Sequence, residues 1–185
     1  MKNNSNLLIR YTGILALTLS FLYNGSSSAQ TNADSKVVND LYAAKEKAYF
    51  SLDKGQKVEG ADTTGKSWDL VFARTVILVN SGTSGKGTTT GLILKDTSFD
   101  KVTKAPKSGY LEDSQATKAL PWGSGNGWYT YDMNNHSINP IPGRVIVIHT
   151  ASGKYAKIEI LNYYKNGDGD SGYYTFKYAF IEPEN

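Results

Sequence analysis

A thioether and an imidazole three residues apart form the most chemically pointed pair in this sequence. Met133 is the only methionine beyond the initiator, and His136 is one of two histidines. Both lie between an aromatic run, Trp128-Tyr129-Thr130-Tyr131, and a β-branched run that begins after Arg144. Thioether sulfur and imidazole nitrogen hold haem iron in electron-transfer cytochromes, and both accept soft metals. Trp128, Tyr129 and Tyr131 supply rings that could wall a flat ligand. Pro140, Pro142 and Gly143 punctuate the connection that follows. A plainer reading competes on the same residues. Met133, flexible and polarisable, fills a gap beneath a loop, and His136 caps a turn. The residues alone leave both readings open.

Other patterns carry less chemistry. Gly82 to Thr88 looks like a phosphate loop, but Asn80 stands where its first glycine belongs and Gly87 follows Lys86. No helix signal comes next to supply a positive N-terminus, so the stretch reads as a flexible connection. Asn166-Gly167-Asp168-Gly169-Asp170 resembles a short calcium loop without its closing glutamate, and reads as a hairpin turn. Hydrolase chemistry needs a positioned histidine with an orienting carboxylate. His149 falls within a strand, on the face of Val145 and Val147, where it reads as a sheet-face residue. A glycosidase carboxylate pair leaves no local signature, so an enzymatic role rests only on unassigned acids. Trp122, between Pro121 and Gly123, is either core or contact surface.

The elements that must position these residues read as short strands. Tyrosine, glycine and threonine are abundant, which suits sheets better than a helical bundle. Apolar alternation and β-branched runs predict strands at 49–52, 68–74, 75–80, 92–95, 144–150, 155–161 and 173–180. The run at 75–80 reads as buried on both faces. Residues 97–127 are irregular, and a span that long inside a compact domain is often functional. Many short strands between turn signals predict an all-β antiparallel sandwich or a partly closed barrel with long irregular loops. Val37, Val38, Leu41, Tyr42 and Lys45 have the spacing of a short helical face within an otherwise mobile segment at 30–47.

The N-terminus has a basic Lys2 and Arg10, an apolar stretch at 13–23 and small residues before Gln30. That is the pattern of a secretory signal cleaved after Ala29. The apolar stretch is too short for a membrane anchor, which needs about 20 residues. The expected organisation is a signal at 1–29, a mobile segment at 30–47 and one β domain at 48–185, with no transmembrane segment after cleavage. Loss of the leader removes two positive charges and no acid, so the formal +3 moves close to neutral. A near-neutral chain is a poor match for nucleic acid. Cysteine is absent, which excludes disulfides, thiolate metal sites and a lipid-anchored cysteine. The expected location is periplasm, cell surface or medium.

From about Tyr49 to Phe180 the chain resembles the HmuY-like family of secreted or surface haem-binding proteins of Bacteroidetes. The likeness is carried by YFSLDKGQKV, SWDLVF with its Trp68-Asp69 pair, TVILVNSGTSGKG, GNGWYTY, PIPGRVIVIHTASGKYAKIEILNYY and YYTFKYAF. The resemblance implies an all-β fold and a non-enzymatic role, the capture of haem for delivery to an outer-membrane receptor of the TonB-dependent kind. It places the ligand position after the aromatic strand on Met133, with His136 as the alternative. It places the other ligand in the preceding irregular region. There Tyr110 is the only conventional iron-ligand side chain apart from carboxylates. Typical members carry a lipid-anchor cysteine, so its absence here implies release. The competing reading is a binding or interaction domain on the same scaffold, with a carbohydrate, peptide or receptor as its ligand.

Overall fold

Alternating apolar residues along short segments build twelve strands in the computed structural model, which describes residues 34–185. They are β1 (Lys36–Tyr42), β2 (Ala48–Ser51), β3 (Gln56–Val58), β4 (Leu70–Ala73), β5 (Val76–Val79) and β6 (Thr90–Leu94). There follow β7 (Lys104–Ala105), β8 (Tyr129–Asp132), β9 (Ser137–Pro140), β10 (Val145–His149), β11 (Tyr155–Tyr164) and β12 (Ser171–Pro183). The larger sheet runs β1-β12-β11-β10-β6, all antiparallel, with β7 added in parallel to the end of β12. The smaller sheet runs β3-β2-β4-β5, and β8-β9 is a separate ribbon. The all-β antiparallel architecture is as expected, and neither sheet closes into a barrel. The expected leader, residues 1–29, lies outside the described residues.

Period-2 alternation decides what each face buries. Ile146 and Ile148 of β10, Ala156, Ile158 and Ile160 of β11, and Tyr174, Phe176 and Tyr178 of β12 share one cluster with Phe50, Leu70, Phe72, Ile77 and Val79 of the smaller sheet. Phe176 sits between two rings, stacked on Phe72 and edge-on to Phe50, each at 5.3 Å. Such contacts add to area burial because ring edge and ring face carry opposite partial charge. The buried tyrosines satisfy their hydroxyls on backbone: Tyr174 donates to the Arg74 carbonyl (2.7 Å) and Tyr178 to that of Leu52 (3.2 Å).

The opposite face of the larger sheet carries Leu92, Val145, Val147 and Ile181, covered by Val102 and Ala105 from the irregular region. That region is tied down at several points. Lys157 on β11 is buried, donates to the Phe99 carbonyl at 2.8 Å and lies over the Phe99 ring at 4.2 Å. Lys177 covers the same ring at 4.6 Å and pairs with Glu159 at 2.8 Å. Burial pulls the Lys157 ammonium below its ordinary value, with Asp100 opposing. Further on, the buried Asp113 carboxylate accepts the N–H groups of Val79 (3.1 Å) and Ala119 (2.9 Å), closing the free edge of β5.

Three expectations are corrected. The helical face at Val37, Val38, Leu41, Tyr42 and Lys45 is instead mostly strand β1, paired with β12. A bulge between Val38 and Leu41, with Asp40 at φ +51°, adds a residue and mimics helical spacing. The run at 75–80 is fully buried on one side only: Ile77 and Val79 join the main core, while Val76 and Leu78 are half-buried on the other face, where Leu78 packs against the small cluster of Val58, Trp68 and Val71. The glycine loop at 82–88 is not a loose connection. It wraps around Asn80, fully buried, whose amide donates to the carbonyls of Trp68 (2.8 Å) and Gly65 (3.2 Å) and accepts from Gly87 N–H (2.9 Å). A Cβ at Gly85 would strike the Asn80 amide, and one at Gly87 would come within 2.6 Å of the Asn80 carbonyl.

Candidate functional site

The ribbon β8-β9 is rooted in the core and ends in solvent. At its root Trp128 is buried, with its indole N–H on the Thr75 carbonyl (3.0 Å) and its ring against Tyr163 and Tyr174. Tyr129 is also buried, its hydroxyl 3.3 Å from that of Thr75. Gly127 before them admits no side chain, since a Cβ would meet the Pro121 carbonyl at 2.5 Å. The ribbon's other strand is fixed by the Ile138 N–H, which donates to the Tyr164 hydroxyl (2.7 Å). Tyr131 shares the face of Tyr129 but has passed the core edge and stands exposed.

Asp132 and Ser137 form the last pair, so Met133, Asn134, Asn135 and His136 make the tip. Two Asx turns hold it: Asn134 N–H donates to Asp132 Oδ1 (2.8 Å) and Ser137 N–H to Asn135 Oδ1 (3.1 Å). His136 takes the left-handed conformation at φ +58°, which short polar side chains and histidine tolerate better than others. Its ring is not loose. Nδ1 lies 2.6 Å from the Tyr131 hydroxyl. When Nδ1 carries the proton and donates to that oxygen, Nε2 presents a bare lone pair outward, the tautomer a metal takes. Met133 is 73 % exposed and fills no gap. The gap-filling reading fails, while His136 does serve in the turn.

The six expected residues fall into three groups. Met133, His136 and Tyr131 share the exposed tip. Trp128 and Tyr129 sit in the cluster of Ile146 and Ile148. Tyr110 packs in the cluster of Val145 and Val147, on the opposite face of β10, 5.6 Å from Tyr155. Its buried hydroxyl has no partner among the described residues, and burial pushes its pKa far above the ordinary tyrosine value. A phenolate ligand is costly there. His149 stacks on Tyr155 at 4.4 Å as a sheet-face residue. Among the described residues no three His, Cys, Asp or Glu side chains gather to hold a metal ion. No helix among them is long and apolar enough to cross a membrane.

Open surface clefts among the described residues include four of about 400–500 Å³, and neither Met133 nor His136 lines any of these four. One is formed by the loop preceding the ribbon, with Trp122 at its lip and Lys95 and Lys118 in its wall. Trp122 is 63 % exposed, which settles it as surface rather than core. Sequence reasoning singled out the tryptophan but not the lysines, which look like any other surface charge until the fold assembles them.

The profile of the HmuY protein family matches residues 43–178. The chain belongs to the HmuY family. No curated protein matches it. Solved structures share the family fold at low identity. Apo PinO from Porphyromonas gingivitis is 14 % identical with a TM-score of 0.59, over 82 % of this chain and 100 % of that one. A candidate lipoprotein from Bacteroides fragilis is 19 % identical with a TM-score of 0.56, over 84 % and 94 %. A candidate HmuY-like haem-binding protein from Bacteroides vulgatus is 16 % identical with a TM-score of 0.51, over 82 % and 93 %. At these identities the HmuY fold is what is shared.

Proposed function

We propose that this HmuY-family chain is an exported haem-binding protein, a haemophore that captures haem and passes it to an outer-membrane receptor without chemical turnover. The observation that carries the reading is the exposed tip of β8-β9. It presents a thioether and a hydrogen-bonded imidazole to solvent on a ribbon anchored by Trp128. Exposure of both donors suits cargo that must be taken up and released. Met133 would hold the iron, with His136 as the alternative, and Tyr131 would orient the imidazole. Trp128 and Tyr129 act from beneath by holding the ribbon. Tyr110 does not share that tip, so this chain would offer the iron a single side chain, Met133 or His136. A leader cleaved after Ala29 directs export, and the β domain, with β1 paired to β12, carries the function.

The test is titration of the protein with haem under oxidising and reducing conditions, followed by the Soret band. Thioether ligation raises the iron potential, so tighter binding is expected with ferrous haem. Met133→Ala should remove that preference, and His136→Ala should alter the band if the imidazole takes part. Absence of a Soret shift in both oxidation states sinks the reading. A domain of the same fold that binds carbohydrate draws on exposed Trp122, and glycan binding without any haem response would favour it.

A further inference from the structure

The tip of β8-β9 carries a thioether and one of the two imidazoles of a chain that has no cysteine. The other imidazole, His149, lies on β10 and stacks on Tyr155 at 4.4 Å. Met133 and His136 are the first and last residues of the four-residue reversal that closes on the Asp132–Ser137 pair. The ends of such a turn bring their Cα atoms to about 7 Å or less. Met133 follows Tyr131 by two residues, the spacing of one strand face. The His136 ring comes back to that same face, since its Nδ1 lies 2.6 Å from the Tyr131 hydroxyl. The fold thus carries both donors on one side of the ribbon.

The donor types choose the metal. Thioether sulfur is soft and selects Cu(I) over harder cations, and imidazole serves copper as well. A closed zinc site takes four ligands, and among the described residues no three His, Cys, Asp or Glu side chains gather. Cu(I) is satisfied by fewer donors. The tip is also held before any ion arrives. Asx turns at Asp132 and Asn135 fix the backbone of the reversal. The Tyr131 hydroxyl can accept the Nδ1 proton, which leaves Nε2 for the metal and supplies the contact that a ligating histidine ordinarily has behind it. Met133 and His136 are both exposed, so an ion reaches them without any opening of the fold. The Asp132 carboxylate beside Met133 adds a negative charge that attracts a cation.

We propose that this tip binds cuprous ion, with Met133 Sδ and His136 Nε2 as its protein ligands and Tyr131 as a positioning residue. No porphyrin takes part, and the copper keeps its oxidation state. The inference uses residues of the haem reading without depending on it.

The experiment titrates the haem-free protein, under anaerobic reducing conditions, against the coloured Cu(I) complex of bicinchoninate. The protein should withdraw about one Cu(I) from the chelator. The Met133 methyl resonance should move as it does so; it is the only methionine signal besides that of the initiator. Met133→Leu and His136→Asn should each weaken Cu(I) binding by more than about tenfold, and Tyr131→Phe by about tenfold, the low end for removing a partner of a ligating histidine. At saturating copper Tyr131→Phe should keep the shift of the Met133 methyl, which separates positioning from ligation. Asparagine tolerates the left-handed backbone of residue 136, so that variant keeps the tip. His149→Gln should change nothing. Zn(II) should bind more weakly than Cu(I) and ignore Met133→Leu. Failure to withdraw copper, an unmoved Met133 methyl, indifference to any of the three tip substitutions, a loss in His149→Gln, or zinc as tight as Cu(I) overturns the proposal. A Soret response to haem without Cu(I) binding would keep the haem reading and remove this one. Cu(I) binding at the tip without a Soret response would do the reverse.

Discussion

Neutralising Asp69 should make the protein more stable at pH 7 and leave it little changed at pH 4. Asp69 follows the buried Trp68, is itself buried, and accepts the Leu52 N–H at 2.8 Å, thereby holding the turn after β2. Burial raises its pKa from 3.8 to about 6, against the opposing pull of the Leu52 and Asp53 N–H groups; Asp53 adds to the rise and Lys154 opposes it. The folded value lies above the unfolded one, so the folded state holds the proton more tightly. That contribution is complete below the unfolded pKa and is lost as pH rises through about 6. A shift of about two units at 1.4 kcal/mol each amounts to about 3 kcal/mol. Asp69→Asn keeps an oxygen for the Leu52 N–H and removes the titration. Urea denaturation of both proteins from pH 4 to pH 7 measures the difference. Any fixed cost of the amide cancels in the slope, and because the unfolded carboxyl is already partly ionised at pH 4 the variant should gain about 2 kcal/mol on the native protein across that range. A flat difference would show that Asp69 does not titrate there. A slope of opposite sign would mean that the fold favours the carboxylate.

Lys157→Met leaves the Phe99 carbonyl without its buried donor and should cost about 1–3 kcal/mol, with faster proteolysis within 97–106; protection equal to the native protein would refute the clamp. Gly87→Ala forces a methyl toward the Asn80 carbonyl at a position whose φ is not left-handed, so its cost is steric, about 1–3 kcal/mol in thermal or urea unfolding. An unaffected variant would show that the loop yields. Trp128→Ala should lose about 3–5 kcal/mol, whereas Trp122→Ala should stay within about 0.5 kcal/mol of the native protein. Comparable losses would contradict the contrast between rooted and exposed indoles.

The strands that were legible in the sequence are those whose alternation is uninterrupted. β11 places Ala156, Ile158 and Ile160 on one face, and β12 does the same with Tyr174, Phe176 and Tyr178. β1 was hidden because its bulge at Asp40 changes the spacing of Val38 and Leu41. β3 buries only Val58, and β9 carries a proline and one aliphatic side chain, too little pattern to stand out. The same division holds for the site. Met133 and His136 are neighbours in the chain, so their meeting was visible in advance. Their exposure was not, because it depends on where the core ends beneath Tyr129. Lys95 reaches Trp122 only through tertiary folding, whereas Lys118 lies four residues before it in the chain. Asn80 shows the limit most clearly: a glycine-rich stretch gives no hint that it encloses a buried amide.

The ribbon β8-β9 belongs to neither main sheet. Two residues separate a side chain answerable to packing, Tyr129, from one that stands in solvent, Tyr131. Selection can therefore exchange donor types at the tip, imidazole for thioether or either for something inert, without the interior registering the change. A lineage built on this plan can retire or reinvent its cargo chemistry while its architecture persists, so the scaffold alone is a poor witness to what any descendant carries.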